Sequence, residues 1–117
     1  MNIEELREFC LSLNGATEGF PFDAETLVFK VGGKMFALTN LSGPLSINLK
    51  CDPDKAIELR ERYPSVTPGY HMSKQHWNTI YVDGAIPSST IKQWIVDSYN
   101  LVVGSLSKLQ REQLFNG

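Results

Sequence analysis

Residues 26–39, TLVFKVGGKMFALT, limit what this chain can fold into more than any other stretch. Two runs of strand-forming residues meet at Gly32-Gly33, and a connection of only two residues needs positive φ at both positions. Glycine takes that conformation without steric cost, so the segment is predicted to be an antiparallel hairpin. The turn also sets the register. Val31 is expected opposite Lys34, Phe29 opposite Phe36 and Leu27 opposite Leu38, which turns the apolar members of these pairs toward a core. Thr26, Val28, Lys30, Met35, Ala37 and Thr39 then line the other face.

The neighbouring segments extend this plan. After Ser42-Gly43-Pro44, LSINLK alternates, sending Leu45, Ile47 and Leu49 inward and Ser46, Asn48 and Lys50 to the open face. A first helix begins at Asn2, a cap with Glu5 in the reciprocal capping-box place. It carries Ile3, Leu6, Phe9, Cys10 and Leu13 as a buried stripe and stops at Asn14-Gly15. Residues 16–25 read as a loop pinned to the core by Phe20 and Phe22. Asp52-Pro53 opens a second helix with Ala56, Leu59 and Tyr63 on its apolar side, and Pro64 ends it. From a turn at Pro68-Gly69 the chain runs through PGYHMSKQHWNTIYVDG to a turn at Asp83-Gly84. Ile80 and Val82 are expected in the core and Tyr81 on the open face. A strand already extended from His76 adds Trp77 to that face, and a bulge near Asn78 reverses the phase. A long helix from Ser88 places Ile91, Trp94, Ile95, Ser98 and Val102 along one side. Gly104 weakens it, and a helical tail folds back through Leu109 and Leu114. The expectation is one α+β domain over residues 1–117, an antiparallel sheet with helices packed on one face.

Hydrophobic content of 42% and charged content of 21% are those of an ordinary soluble domain. No apolar run approaches the roughly 20 residues that span a bilayer, so no membrane partner is expected. The acidic, amphipathic MNIEELREF has the pattern of neither a signal nor a transit peptide. Cys10 and Cys51 form no CxxC motif and read as thiols of a reducing cytoplasm. A net charge of −2 excludes a globally basic nucleic-acid binder, but charge is unevenly placed. Residues 1–25 are net −5, and residues 26–51 hold Lys30, Lys34 and Lys50 with no acid.

FCLSLNGATEGFPF, LVFKVGGKMFAL, NLKCDP, PGYHMSKQHWNTIYVDG and IVDSYNLVVGSL, in this order, resemble the MmcQ/YjbR family of bacterial proteins. The resemblance implies a small α+β domain related in fold to the bacterial frataxin CyaY. It also implies DNA as a partner, a role suggested for the family from its fold, and fold alone does not license function.

Three chemistries compete. Catalysis needs a nucleophile beside an oriented base, and neither His71 nor His76 adjoins Ser or Cys in a local motif. A site assembled from Cys51, His76 and Asp83 is conceivable, but no enzymatic activity and no cofactor are expected. For metal, His71 and His76 lack the i, i+4 spacing of a helical ligand pair. The frataxin kinship suggests iron, yet Glu4, Glu5 and Glu8 are sparse, Arg7 interrupts them, and no metal site is assigned. The third chemistry is partner binding through the open sheet face. Lys30, Lys50, Tyr81 and Trp77 would share it, with Lys34 at the hairpin tip and Lys74 and His76 in the adjacent loop. Lysines hold phosphates, and aromatic rings on a sheet stack on unpaired bases. The alternatives are that His76 and Trp77 only organise the sheet edge, or that the face binds another protein. A monomer is expected.

Overall fold

Asn2 does cap the first helix: its side chain accepts a hydrogen bond from the Glu5 amide at 2.9 Å. The computed structural model describes residues 1–69 and 72–116, excluding the Asn116 side chain. Its elements are α1 (Ile3–Ser12), β1 (Thr17–Gly19), β2 (Thr26–Val31), β3 (Lys34–Asn40), β4 (Ser46–Lys50), α2 (Pro53–Arg62), β5 (Val66–Pro68), β6 (Trp77–Tyr81), α3 (Ser88–Ser105) and α4 (Lys108–Asn116). The strands form one antiparallel sheet in the order β1-β2-β3-β4-β6-β5, with the helices on one face. Gly32 and Gly33 both take positive φ, as the tight turn requires. Gly32 is doubly constrained, because a Cβ there would meet the Leu106 side chain at 2.7 Å.

The hairpin departs from the expected register one residue beyond the tip. Val31 pairs with Lys34 and Lys30 with Met35, but Phe29 then pairs with Ala37 and Val28 with Leu38. Phe36 is the extra residue of a β-bulge, and each residue after it changes face. Ala37 and Thr39 therefore point toward the helices, and Leu38 lies on the opposite face. The bulge has a physical benefit: Phe29 and Phe36 both reach the core, where Phe36 meets Tyr99 edge-on at 5.5 Å.

A bulge also interrupts the ladder to the next strand, and buried backbone groups need partners. Ser98 of α3 supplies them. Its hydroxyl donates to the Phe36 carbonyl at 2.6 Å and accepts from the Lys50 amide at 2.9 Å. Ser98 is fully buried, which explains a polar residue in the apolar stripe of α3.

The main core lies between sheet and helices. Leu6 and Cys10 of α1, Leu59 of α2, and Ile91, Ile95, Tyr99 and Val102 of α3 pack on Phe29, Phe36, Ile47, Leu49 and Ile80. Leu114 of α4 joins its margin, but Leu109 is 63% exposed and does not anchor the tail. Residues 16–25 also differ from expectation. They contain edge strand β1, and Phe20 and Phe22 are 48% and 63% exposed rather than pinned inside.

Candidate binding surfaces on the two sides of the sheet

The strand register decides what the open face displays. Away from the helices point Thr26, Val28 and Lys30 of β2, and Met35, Leu38 and Asn40 of β3. Ser46, Asn48 and Lys50 of β4 and Trp77, Thr79 and Tyr81 of β6 continue the surface. Thr17 and Gly19 of β1 and Thr67 of β5 complete it. No Asp or Glu occupies any of these positions, although the chain holds thirteen acids.

The expected site residues fall into different places. Lys30 and Lys50 are half-buried on the open face, two strands apart, and Tyr81 is 40% exposed there. Trp77 shares the face but is only 8% exposed, packed with Val28 and Leu38 and flanked by Met35 and Met72. It supports the surface from beneath and offers no free ring. Lys74 and His76 lie exposed in the loop that carries Met72 over this cluster. Lys34 is elsewhere: its ammonium reaches the Ser105 carbonyl and hydroxyl at 3.4 and 3.3 Å, at the end of α3 on the helix side. His71 lies outside the described residues.

Arg60 of α2 holds that loop in place. Its Nε donates to Asn78 Oδ1 at 2.6 Å, and its terminal nitrogen donates to the carbonyls of Lys74 and Trp77. Asn78 is buried, so the guanidinium satisfies an amide that would otherwise be costly. An asparagine beside Ile80 in an otherwise apolar strand was the available signal, but sequence does not reveal its partner.

The same sheet carries a cleft of about 400 Å³ on its helix side, between α2 and α3. Leu49, Leu59 and Ile80 form its floor, and Trp94 and Leu101 line the α3 wall. Cys51, Asp52, Lys55, Asp97 and Asn100 supply polar groups around it. Burial, followed by the charge of Asp52, pushes the Cys51 thiol above its ordinary pKa. It is therefore protonated at neutral pH and a poor nucleophile. Cys10, fully buried, is pushed up to about 12 by desolvation.

A YjbR family model matches residues 11–101. The chain belongs to the YjbR family. It is 40% identical over 115 residues to the uncharacterized protein YbdF of Escherichia coli O157:H7, covering 97% of this chain and 94% of that one. Identity to YjbR of Escherichia coli K12 is 32%, covering 97% and 98%. Among solved structures, the DUF419 domain protein DR2400 of Deinococcus radiodurans superposes with a TM-score of 0.91 at 42% identity, over 97% of this chain and 87% of that one. A Pseudomonas syringae protein gives a TM-score of 0.77 at 26% identity, over 87% and 99%.

The residues that match the YjbR family hold both surfaces, whereas α4 lies beyond them. Within them Cys51 and His76 are neighbours, the Cys51 amide donating to the His76 carbonyl at 2.7 Å, but Asp83 is separated from both by the length of β6. His76 precedes β6 and Asp83 follows it, the Asp83 carboxylate accepting from the Ser65 hydroxyl at 2.7 Å and the Ala85 amide at 3.0 Å. Those bonds hold Asp83 below its ordinary pKa. Among the described residues no three His, Cys, Asp or Glu side chains are grouped to hold a metal, and no helix is long and apolar enough to cross a membrane. On α1, Arg7 pairs with Glu18 at 2.8 Å, which divides the acidic stretch Glu4, Glu5 and Glu8.

Proposed function

We propose that this YjbR-family domain binds single-stranded nucleic acid through its open sheet face and catalyses no reaction. The observation that carries this reading is that no strand position on that face holds a carboxylate, in a chain of net charge −2; Asp23 reaches only its corner, at the Thr26 hydroxyl. A phosphate backbone crossing the middle strands would meet Lys30 and Lys50 and no strand carboxylate. Tyr81 offers a partly exposed ring, and the half-buried Asn48 supplies a neutral amide. The protonated Cys51 thiol and the separation of His76 from Asp83 support the absence of turnover.

Two phosphate-reading lysines give weak, salt-sensitive binding, with a Kd of about 10⁻⁴ to 10⁻⁶ M near physiological salt. Fluorescence anisotropy with labelled single-stranded DNA across a salt series tests this. Lys30→Glu and Lys50→Glu should each flatten the dependence of log K on log salt by about one unit. No binding at low salt, or binding indifferent to both changes, would sink the proposal. A protein-interaction role is the second reading, favoured by the exposed Phe20, Phe22 and Leu41 around the loops at one end of the sheet. Binding to DNA that fails while the protein stays folded would leave that role as the better account.

A further inference from the structure

We propose that the cleft between α2 and α3 is a separate binding site, and that it takes a zwitterionic small molecule with a bulky apolar body, the chemistry of a free aromatic or branched aliphatic α-amino acid. It lies across the sheet from the nucleic-acid face and stands whether or not that reading does.

The cleft exists because the helices cover different strands. α3 packs over β2, β3 and β4, and α2 packs over β5 and β6, so the β4–β6 seam lies between them. At one end the two helices touch through Tyr63 and Trp94, edge-on with centroids 5.2 Å apart. Beyond that contact the helices leave a cleft whose floor, Leu49, Leu59 and Ile80, is the nearly buried edge of the main core. The volume of about 400 Å³ falls within the roughly 300–1,000 Å³ usual for small-molecule sites. Apolar lining with a few polar groups is the pattern such sites share.

The charges around it select the ligand. Asp52, the N-cap of α2, accepts the Lys55 amide at 3.4 Å through one oxygen, and it adds negative charge at the mouth of the cleft. Arg60 is committed to Asn78 and the neighbouring loop. Lys50 borders the cleft, but the register turns its side chain to the open face. Lys55 on α2 is then the available cation of the cleft, and Asp97 is the carboxylate of its α3 wall. Among the described residues the ion pair is Arg7–Glu18, so neither Lys55 nor Asp97 is held in an ion pair. Asp97 accepts one hydrogen bond, from Gln93 at 2.9 Å through Oδ1, and its other oxygen is open. Trp94, Asp97 and Leu101 recur at spacings of three and four, which sets the carboxylate beside the apolar wall. An apolar acid would satisfy Lys55 and leave Asp97 alone, and an apolar amine would do the reverse. A molecule carrying both charges on an apolar body matches the pair and the floor together.

The intact chain is titrated calorimetrically with L-phenylalanine and L-leucine, and in parallel with phenylacetate and phenethylamine, which carry one charge each. Phenylalanine should bind more tightly than either half-charged analogue. Asp97→Asn should weaken phenylalanine and phenethylamine by about tenfold or more while sparing phenylacetate, and Lys55→Met should do the opposite. Leu101 is 41% exposed, so Leu101→Trp fills the cleft without disturbing the core and should abolish binding. Saturating phenylalanine should also slow alkylation of Cys51, the half-exposed thiol beside the site. Melting curves without ligand confirm that each variant is folded. No heat with either amino acid, phenylacetate binding as tightly as phenylalanine, or phenylalanine binding unchanged in Asp97→Asn and Leu101→Trp would each overturn the proposal.

Discussion

The two faces of the sheet bury apolar residues in different ways. On the helix side the main core is closed by three helices, each presenting a continuous stripe. On the other side Val28, Leu38 and Trp77 form a cluster that, among the described residues, is covered by Met35, Met72 and the loop that Arg60 holds. The tryptophans make the contrast concrete. Trp94, within a helical stripe, is half-buried at the edge of a cleft, whereas Trp77, on the face without helices, is 8% exposed. Position on a face therefore does not decide burial. A single loop turns an open surface into a second small core, and what remains for a partner is the polar margin around it.

The largest test of this contrast is Trp77→Ala. Removing a large buried aromatic should destabilise the fold by ~3–5 kcal/mol, read as a shift in the urea midpoint. A cost under ~1 kcal/mol, within the range of ordinary surface changes, would mean that the face is open after all. A smaller effect is expected on the helix side from Ser98→Ala. It strands the Phe36 carbonyl and the Lys50 amide, a loss of about 1–3 kcal/mol from unsatisfied buried groups. Ser98→Thr, which keeps the hydroxyl, should recover part of it, and equal losses in both variants would show that packing rather than hydrogen bonding is at stake.

The smallest effect belongs to Asp83, at the far end of β6. Its folded pKa is lowered, chiefly by the Ser65 hydroxyl and then by the Ala85 amide. A lowered carboxylate pKa adds stability above its ordinary value near 3.8, and that stability is lost as pH falls through the folded value. The midpoint difference between wild type and Asp83→Asn should therefore be present at neutral pH and vanish in acid. A difference constant through that range would assign the effect to shape rather than charge.

Much of the fold was legible because its signals are local. The Asn2 cap, the Gly32-Gly33 turn and the stripe of α1 each depend on residues a few positions apart. The face of Leu38 was not legible, since nothing within residues 34–40 announces that Phe36 is doubled against Phe29. What permits the bulge is Ser98, and no local pattern links the two. Of the candidate site, Lys30, Lys50 and Tyr81 were placed by alternation alone. Lys34 was grouped with the site by its place at the hairpin tip, but its pairing with core-facing Val31 turns it to the helix side, where it reaches Ser105. The cleft was invisible because it is a gap between two helices, and sequence records elements better than the spaces between them.

The hydroxyl of Ser98 lies 62 residues beyond the carbonyl it completes. The hairpin tip likewise receives Gln110 on the Gly32 carbonyl from 78 residues away. On a ribosome, β2 and β3 emerge early and form their turn quickly, but their ladder stays unfinished until α3 has been made. Contacts so distant in sequence slow the folding step that depends on them. Until then the partial sheet exposes unpaired backbone, the condition under which nascent chains associate wrongly. The most local piece of this molecule is thus finished by a residue made 62 positions later, and its folding should register only once α3 has emerged.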